Sequence, residues 1–370
     1  MAADITLKEV EKAISEFDFD SKILGYKLIR SGNINDTLDL SMESGHFILQ
    51  RLNTYVYRKP KEVMINIDRI TTHIKEKIVA RNGNPDLGVL QVCHAKNGLP
   101  YYIDEHDNFW RAFKFIEGFA YDVTPNKEAF KEGAIAFGRF QRDLGDFPVN
   151  EMYYTIPNFH NTPHRYQVFE ESVKVDIKDR AKNAPDLIEL VRKYSYLAHV
   201  YDDAVNSGEM PLRVTHNDTK LNNVMLDKET HKPLCVLDLD TVMPGYAVND
   251  FGDAIRSGTS TASKTEQDKT KIHIKLDYFK AYLEGFLAET IDTLSKAEIE
   301  LLPTSCLVMT YELGMRYLTD YLQGDPYFKA STENQNLIKA RNQLYFLEDM
   351  VLHEKDMKDI LHEVLASLGR

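Results

Sequence analysis

The chain has 370 residues, more than one hydrophobic core usually organises, which predicts two lobes or domains. Its hydrophobic content of 43% and charged content of 28% are those of a globular protein. The formal net charge of -12 excludes a protein whose main task is to grip nucleic acid, because phosphate binding at long range needs a basic field. The N-terminus lacks a signal-like pattern and no long apolar run occurs, so we expect no membrane segment and a cytoplasmic protein.

Residues 1–117 carry strand signals interrupted by one helix. Thr6 and Glu9 fit a capping box, so a helix opens the chain. The runs "KLIRSG", "DTLDLSM" and "HFILQRL" are separated by turn formers and predict strands, and "VLQVCHAKNGLPYYIDEHDNFWRAFKF" continues the pattern. Apolar residues from Val63 to Ile78 recur at helical spacing. We therefore expect an antiparallel meander of about five strands with one helix inserted.

Residues 118–370 are mostly helical in pattern. Only a polar stretch near residues 213–242 interrupts the helices, with "RVTH", "NVMLD" and "CVLDLD" as short strands. The sequence thus predicts an α+β, bilobal fold, with a small antiparallel-sheet lobe at 1–117, a larger helical lobe at 118–370 and a cleft between them.

The polar stretch has the spacing H-x-D-x-K-x-x-N, formed by His216, Asp218, Lys220 and Asn223. Phosphoryl transfer explains each residue type. Asp218 can accept the proton of a substrate hydroxyl, Lys220 can offset phosphate charge, and Asn223 can turn its amide oxygen to Mg²⁺. The loop lies between two strands, which suits side chains that must be positioned accurately.

Two aspartates follow this loop. Asp238 comes after a hairpin turn at "DKETHKP" and is predicted to be the second metal ligand, with Asp240 as a further contributor. Asp250, in "NDFGDAIR", is interpreted as a buried carboxylate that fixes the catalytic loop through its backbone amides. Turn and cap roles for these residues, and zinc ligation by His216, Asp218 and Asp238, are the competing interpretations.

Taken together, these motifs resemble the aminoglycoside phosphotransferase and choline kinase family, whose members have a protein-kinase-like fold. "SGNINDTLDL" is similar to its phosphate loop, "FKFIEG" to its interlobe hinge, and "HNDTKLNN" to its catalytic loop. The stretches "HNDTKLNNVMLD", "LDTVMPG" and "GMRYLTDYLQGDPYF" look most like the branch of N-acetylhexosamine 1-kinases.

The resemblance implies an ATP site and a place for each of its parts. The residues implied to cover the ATP phosphates are Gly32, Asn35, Asp36 and Thr37. The residues implied to hold the adenine through backbone groups are Phe115, Ile116 and Glu117. Where a protein kinase has its strand lysine, this chain offers Gln50 or Arg51; we favour Arg51 on charge, and Glu62 lies one turn early for a paired glutamate.

The resemblance also implies a sugar site. Its expected residues are Asn33, Asp218, Arg316, Tyr317 and Tyr327. We therefore expect ATP- and Mg²⁺-dependent transfer of the γ-phosphate to the anomeric C1 hydroxyl of N-acetylglucosamine or N-acetylgalactosamine, with the epimer, the anomer and the oligomeric state unspecified by the sequence. The alternatives are a kinase of another small alcohol, such as an amino alcohol, methylthioribose or homoserine, and a catalytically silent nucleotide-binding module.

Overall fold

A computed structural model describes residues 6–19, 21–29, 35–55 and 57–370 of the chain. The strands are β1 (Ile23–Ile29), β2 (Asp36–Met42), β3 (Gly45–Leu52), β4 (Val92–Cys93), β5 (Tyr102–Ile103), β6 (Phe109–Lys114), β7 (Arg213–Thr215), β8 (Val224–Leu226), β9 (Pro233–Val236) and β10 (Met243–Gly245). The α-helices are α1 (Leu7–Glu16), α2 (Pro60–Ala80), α3 (Pro85–Gly88), α4 (Lys127–Asp143), α5 (Thr162–Val175), α6 (Pro185–Lys193), α7 (Asp202–Asn206), α8 (Ala247–Gly258), α9 (Leu276–Thr290), α10 (Lys296–Gln323), α11 (Gln335–Leu352) and α12 (Glu354–Ser367).

The chain divides into two compact units, each assembled from three stretches of sequence. The first unit contains Met1–Ala120, Asp143–Thr155 and Asn223–Pro244. The second contains Tyr121–Arg142, Ile156–Asn222 and Gly245–Arg370. The predicted catalytic loop therefore belongs to the second unit as far as Asn222, and the residues from Asn223 to Asp240 belong to the first.

An antiparallel sheet forms the centre of the first unit. Its strand order is β1-β2-β3-β6-β4, and β5 pairs with β6. The expected antiparallel sheet of about five strands is confirmed, with six strands described, but it is not a simple meander because β6 pairs with β3. Strands β4 and β5 have a weak sequence signal, since each is two residues long and too short for a hydrophobic alternation to register.

Helix α1 covers one face of this sheet. The predicted capping box is confirmed: the Thr6 side chain accepts from the Glu9 amide, and the Glu9 carboxylate accepts from the Thr6 amide. Val10 and Ile14 on α1 pack with alternate residues of β2, including Leu38 and Leu40. Burying this apolar face fixes which side chains of each strand point toward α1 and which point away from it.

A buried asparagine joins the three stretches of the first unit. Asn66, on α2, is 1% exposed and donates to the carbonyl oxygens of Tyr153 and Val242 at 2.9 and 3.0 Å. Its own side-chain oxygen accepts from the Tyr153 amide at 2.9 Å. Because each lost bond would leave a buried polar group unsatisfied, Asn66 holds the segment that contains Asp238 and Asp240 against α2.

The second unit is helical, and its core lies around α8 and α10. Helix α8 is buried on every side over Ala247–Arg256, so it is a central helix rather than an amphipathic surface helix. Gly252 permits its close packing on α10, since a Cβ there would lie 2.4 Å from the Ser305 carbonyl oxygen. The structure confirms the α+β fold class, with an antiparallel sheet at the N-terminus and a helical C-terminal part.

None of the described helices is both long and apolar enough to cross a membrane.

Candidate active site

The loop between β7 and β8 has the boundaries that its sequence predicts, Thr215 before it and Val224 after it. Arg213, at the start of β7, makes two hydrogen bonds to the carboxylate of Glu298 at 2.7 and 2.8 Å. Glu298 is 0% exposed and belongs to the capping box of α10. The strand that leads into the loop is thereby tied to the first turn of a core helix.

Asp250 fixes the backbone of this loop, as predicted. Its carboxylate accepts from the amides of His216 and Asn217, both at 2.8 Å, and from the Gln141 side chain at 2.7 Å. Its carbonyl oxygen accepts from the Thr219 hydroxyl at 2.5 Å. Burial raises the pKa of the Asp250 carboxyl, while the hydrogen bonds from the two amides and Gln141 act in the opposite direction. The interpretation of Asp250 as a loop-fixing carboxylate is confirmed.

Asp218 and Lys220 form an ion pair on the partly exposed side of the loop. The side chain of Asp218 is 27% exposed and that of Lys220 is 38% exposed. Burial lowers the pKa of Lys220, but the Asp218 and Asp253 carboxylates outweigh it, so the net shift is upward and the amine stays charged. Asp253 is itself hydrogen-bonded to Arg256 at 2.7 Å on α8. The charges next to Asp218 therefore alternate in sign along a short chain of side chains.

His216 belongs to the core. It is 0% exposed, and its ring lies edge-on to Phe137 and Phe140. Its Nδ1 accepts from the Asp218 amide at 3.3 Å, so it supports the loop from within. The zinc interpretation is not favoured by this burial, and no group of three or more His, Cys, Asp or Glu side chains suited to a metal occurs in residues 6–19, 21–29, 35–55 and 57–370.

Asn223 and Asp238 lie at the same end of the β8–β9 hairpin. Val224 pairs with Val236, and the Leu237 amide donates to the Asn223 carbonyl at 2.8 Å. Asp238 follows directly, exposed and with a left-handed backbone (φ 53), a conformation that aspartate tolerates better than most residues. An amide oxygen and an exposed carboxylate fit Mg²⁺, which usually binds few protein oxygens together with substrate phosphates.

Asp240 has a different environment from Asp238. Its carboxylate oxygens accept from Arg111 on β6, one of them at 3.0 Å, and both side chains are buried, 5% and 3% exposed. Tyr57 also hydrogen-bonds to Asp240, and burial followed by the Asp240 charge raises the pKa of the Tyr57 hydroxyl well above its usual value. Because Asp240 already accepts these bonds, we interpret it as a support for the turn that carries Asp238.

The register of the sheet corrects our preference for Arg51 as the replacement of the strand lysine. Arg51 pairs with Trp110 on the α1 face and binds the Asp36 carboxylate at 2.7 Å. Gln50 points to the other face, where it accepts from the Arg111 side chain at 2.9 Å. The cation on the face of Asp240 is Arg111, which the sequence analysis missed.

The predicted phosphate-loop residues that the structure describes make hydrogen bonds to β3 and to the residue that follows it. The Asn35 side chain accepts from the Asn53 amide at 2.9 Å, and the Thr37 hydroxyl accepts from Gln50 at 3.0 Å. Gly32 and Asn33 lie outside the described residues. The roles of Asn35, Asp36 and Thr37 at ATP phosphates stay predictions.

The predicted hinge is held by the β8–β9 hairpin. Phe119 pairs with Leu226 through two backbone bonds of 3.0 and 2.8 Å, and Glu117 binds Lys228 at 2.8 Å. Gly118 is required by this approach, since a Cβ there would lie 2.6 Å from the Leu226 oxygen. The Phe115 amide already donates to a carbonyl of β3, so adenine binding by this segment would fall to the remaining groups of Phe115, Ile116 and Glu117.

Two of the predicted sugar-site residues line a cavity in the second unit. The cavity has a volume of about 150 Å³ and is lined by Arg165, Val168, Arg316, Thr319, Asp320, Gln323, Tyr327 and Phe328. Tyr317 is not part of the lining, and its ring packs on Phe328 with centroids 4.4 Å apart. Asp320 accepts from the amides of Tyr327 and Phe328 at 2.8 and 2.9 Å, which positions both rings beside Arg316.

Asp250→Ala should lower the free energy of unfolding by about 2 to 5 kcal/mol, because two buried amides and the Gln141 side chain lose their acceptor. Turnover should fall as well, since the loop loses its fixed backbone. Chemical denaturation measures the first effect. The control is Asp277→Ala, whose exposed pair with Lys127 at 3.6 Å contributes less than about 1 kcal/mol. Unchanged stability together with a lost metal dependence would show that Asp250 is a metal ligand instead.

Arg111→Met should cost about 3 to 5 kcal/mol of stability, because the Asp240 carboxylate is left buried without its partner. Combining it with Asp240→Leu should recover much of that stability without restoring turnover, since the turn that carries Asp238 then lacks its anchor. Arg51→Met is the matched control, and it should have a small effect on both measurements. A large loss of turnover in Arg51→Met, together with an unchanged free energy of unfolding in the absence of ATP, would show that Arg51 and not Arg111 takes the place of the strand lysine.

Comparisons with known proteins identify the family of the chain. The model of the phosphotransferase enzyme family matches residues 25–286. A probable prephenate dehydratase of Saccharomyces cerevisiae is 41% identical over 66 residues, 18% of this chain and 20% of that protein. The chain thus spans about a fifth of the length of this curated relative.

Solved structures show the same fold at low sequence identity. An aminoglycoside phosphotransferase from Alicyclobacillus acidocaldarius has a TM-score of 0.62 at 11% identity, over 98% of each chain. A microcompartment-associated aminopropanol kinase has a TM-score of 0.54 at 14% identity, over 95% of this chain and 99% of that one. Spectinomycin phosphotransferase, in complex with ADP and spectinomycin, has a TM-score of 0.51 at 13% identity, over 96% and 99%. Since the family model matches more than half of the sequence, this chain belongs to the phosphotransferase enzyme family.

Proposed function

We propose that this chain is an ATP- and Mg²⁺-dependent kinase that phosphorylates the anomeric C1 hydroxyl of an N-acetylhexosamine. The observation that carries the kinase assignment is the fixed loop with Asp218 at its exposed side, held from behind by Asp250. In phosphoryl transfer the position of the base matters more than its strength, so a carboxylate held in a fixed loop, such as Asp218, is sufficient. The ADP bound to spectinomycin phosphotransferase supports a nucleotide as the phosphate donor here.

In this proposal Asp218 accepts the proton of the acceptor hydroxyl as its oxygen bonds to the γ-phosphorus. The bond between that phosphorus and the bridging oxygen breaks, and ADP leaves with the electron pair. Lys220 leaves its ion pair with Asp218 and binds the negatively charged oxygens of the transferring phosphate. Asn223 and Asp238 would hold Mg²⁺, which supplies charge neutralisation at the phosphate oxygens when it is bound.

The acceptor assignment rests on two independent supports. The stretches "LDTVMPG" and "GMRYLTDYLQGDPYF" resemble the N-acetylhexosamine 1-kinase branch. In addition, the cavity beside Tyr327 presents the side chains of Arg165 and Arg316, which would repel the ammonium group of an amino alcohol. The cationic lining therefore favours a sugar over an amino alcohol, although an aminopropanol kinase shares the fold.

Asp218→Asn should lower turnover by roughly 10² to 10⁴ while ATP affinity changes little, because the variant keeps the shape of the side chain but cannot accept a proton. Steady-state kinetics and nucleotide binding by calorimetry measure the two quantities. Thr230→Ala, on the hairpin turn, serves as a control outside the loop. An equal loss of nucleotide binding in Asp218→Asn would point to a structural role for Asp218.

The product decides the position of phosphorylation. With ATP, Mg²⁺ and N-acetylglucosamine or N-acetylgalactosamine, we expect a non-reducing, acid-labile phosphate ester whose phosphorus couples to the anomeric proton in NMR. An anomeric hydroxyl is more acidic than the other ring hydroxyls, so a modest base suffices there. A product that keeps its reducing end would refute the anomeric assignment and leave the kinase assignment intact. Rapid turnover of an amino alcohol, with none of any sugar, would establish the alternative acceptor.

A further inference from the structure

The cavity beside Arg316 has an excess of positive charge. Arg165 and Arg316 both line it, and the carboxylate near them is Glu312, 3.7 Å from the Arg316 guanidinium. Glu312 is 1% exposed and is already engaged, since it accepts from the Thr162 hydroxyl at 2.6 Å and lies 2.8 Å from Nδ1 of His160. The Glu312 carboxylate, which already accepts from other donors, is therefore shared between the guanidinium groups of Arg165 and Arg316.

Asp320, the acid in the lining itself, does not balance this charge. The two carboxylate oxygens of Asp320 accept from the backbone amides of Tyr327 and Phe328, and one of them also accepts from Asn336 at 3.0 Å. These bonds direct the carboxylate to the loop after α10. Asp325 and Lys339 add one charge of each sign near Asp320, so neither changes the balance set by the two arginines.

Arg165 carries an unused donor. Its Nε is buried and has no hydrogen-bond partner among the described residues, while one terminal nitrogen donates to the Phe159 carbonyl at 3.2 Å. Burial lowers the pKa of Arg165, and the neighbouring Arg316 charge lowers it further. The guanidinium as a whole is partly buried and lines the cavity, so an oxyanion placed there would put a counter-charge beside Arg165, next to Arg316.

We propose that this cavity, defined by Arg165, Arg316, Tyr327 and Phe328, binds an oxyanion substituent of the acceptor, a carboxylate or a sulfate. A group of this kind offers at least two oxygens to the planar donors of a guanidinium and neutralises the excess charge. The volume of about 150 Å³ admits a substituent of a few atoms rather than a second ring. The assignment of the oxyanion to a phosphate acceptor rests on the proposed function, whereas its binding to the cavity does not.

Direct binding tests the cavity without any sugar. Thermal unfolding and calorimetry of the full chain are followed in sodium sulfate and in sodium acetate, against sodium chloride at equal ionic strength. We expect both oxyanions to bind and to raise the melting temperature, with Arg165→Gln weakening binding about tenfold or more and Arg165→Lys weakening it less, because lysine keeps the charge but not the fork. Arg192→Gln, in an exposed pair with Glu170, is the matched control and should respond like the unaltered chain.

Saturating ADP distinguishes the cavity from a nucleotide-phosphate site. The oxyanion response should persist when ADP is bound. A response that ADP abolishes, or one that Arg165→Gln leaves intact, would overturn the proposal, and so would the absence of any difference from chloride.

Acceptor kinetics test the role of the cavity in catalysis. N-acetylglucosamine 6-sulfate and the corresponding uronic acid should have a KM about tenfold or more below that of N-acetylglucosamine, and Arg165→Gln should remove the difference. Equal KM values in the unaltered chain would overturn the acceptor assignment. If no sugar is turned over while sulfate still binds through Arg165, the proposed function fails and the oxyanion site stands.

Discussion

The buried carboxylate of Asp250 is the interaction on which the candidate site depends. A charge in the interior is tolerated only when donors surround it, and here two successive backbone amides of the loop supply most of them. The requirement acts in both directions, because the carboxylate needs the amides and the amides can reach it only in this loop conformation. Helix α8 is buried at the centre of the second unit, so the loop takes its position from the core of that unit.

The first unit uses the same arrangement with a different pair of charges. Arg111 and Asp240 are buried together behind the turn that carries the exposed Asp238. A buried ion pair adds little net stability compared with apolar residues, so its value lies in fixing one conformation of the turn. In each unit, therefore, a buried acid supports the backbone segment that carries a more exposed acid, Asp250 for Asp218 and Asp240 for Asp238.

The sequence predicts features that depend on neighbours in the chain and misses those that depend on the fold. The bounds of β7 and β8, the capping box at Thr6 and the role of Asp250 follow from local patterns. Arg111 was missed because its partner lies 129 residues away. Strand alternation shows that Gln50 and Arg51 face opposite ways, but only the packing of α1 decides which face each one takes. Arg165 belongs to no recognisable sequence motif in α5, so the sequence does not mark it as a binding residue.

The charge of the binding cavity, and not the net charge of the whole chain, indicates which acceptor the protein can bind. The formal net charge of -12 would suit a cationic acceptor, yet the cavity near Tyr327 is lined by two arginines, and the neighbouring acids Asp320 and Glu312 both accept from other donors. At an ionic strength of 0.1 M, salt screens the field of a charge beyond about 10 Å. Inside the cavity, the field of these two guanidinium groups therefore outweighs that of acids spread over the surface. In the proposed function, the acceptor is therefore selected by Arg165 and Arg316 and not by the net charge of the whole chain.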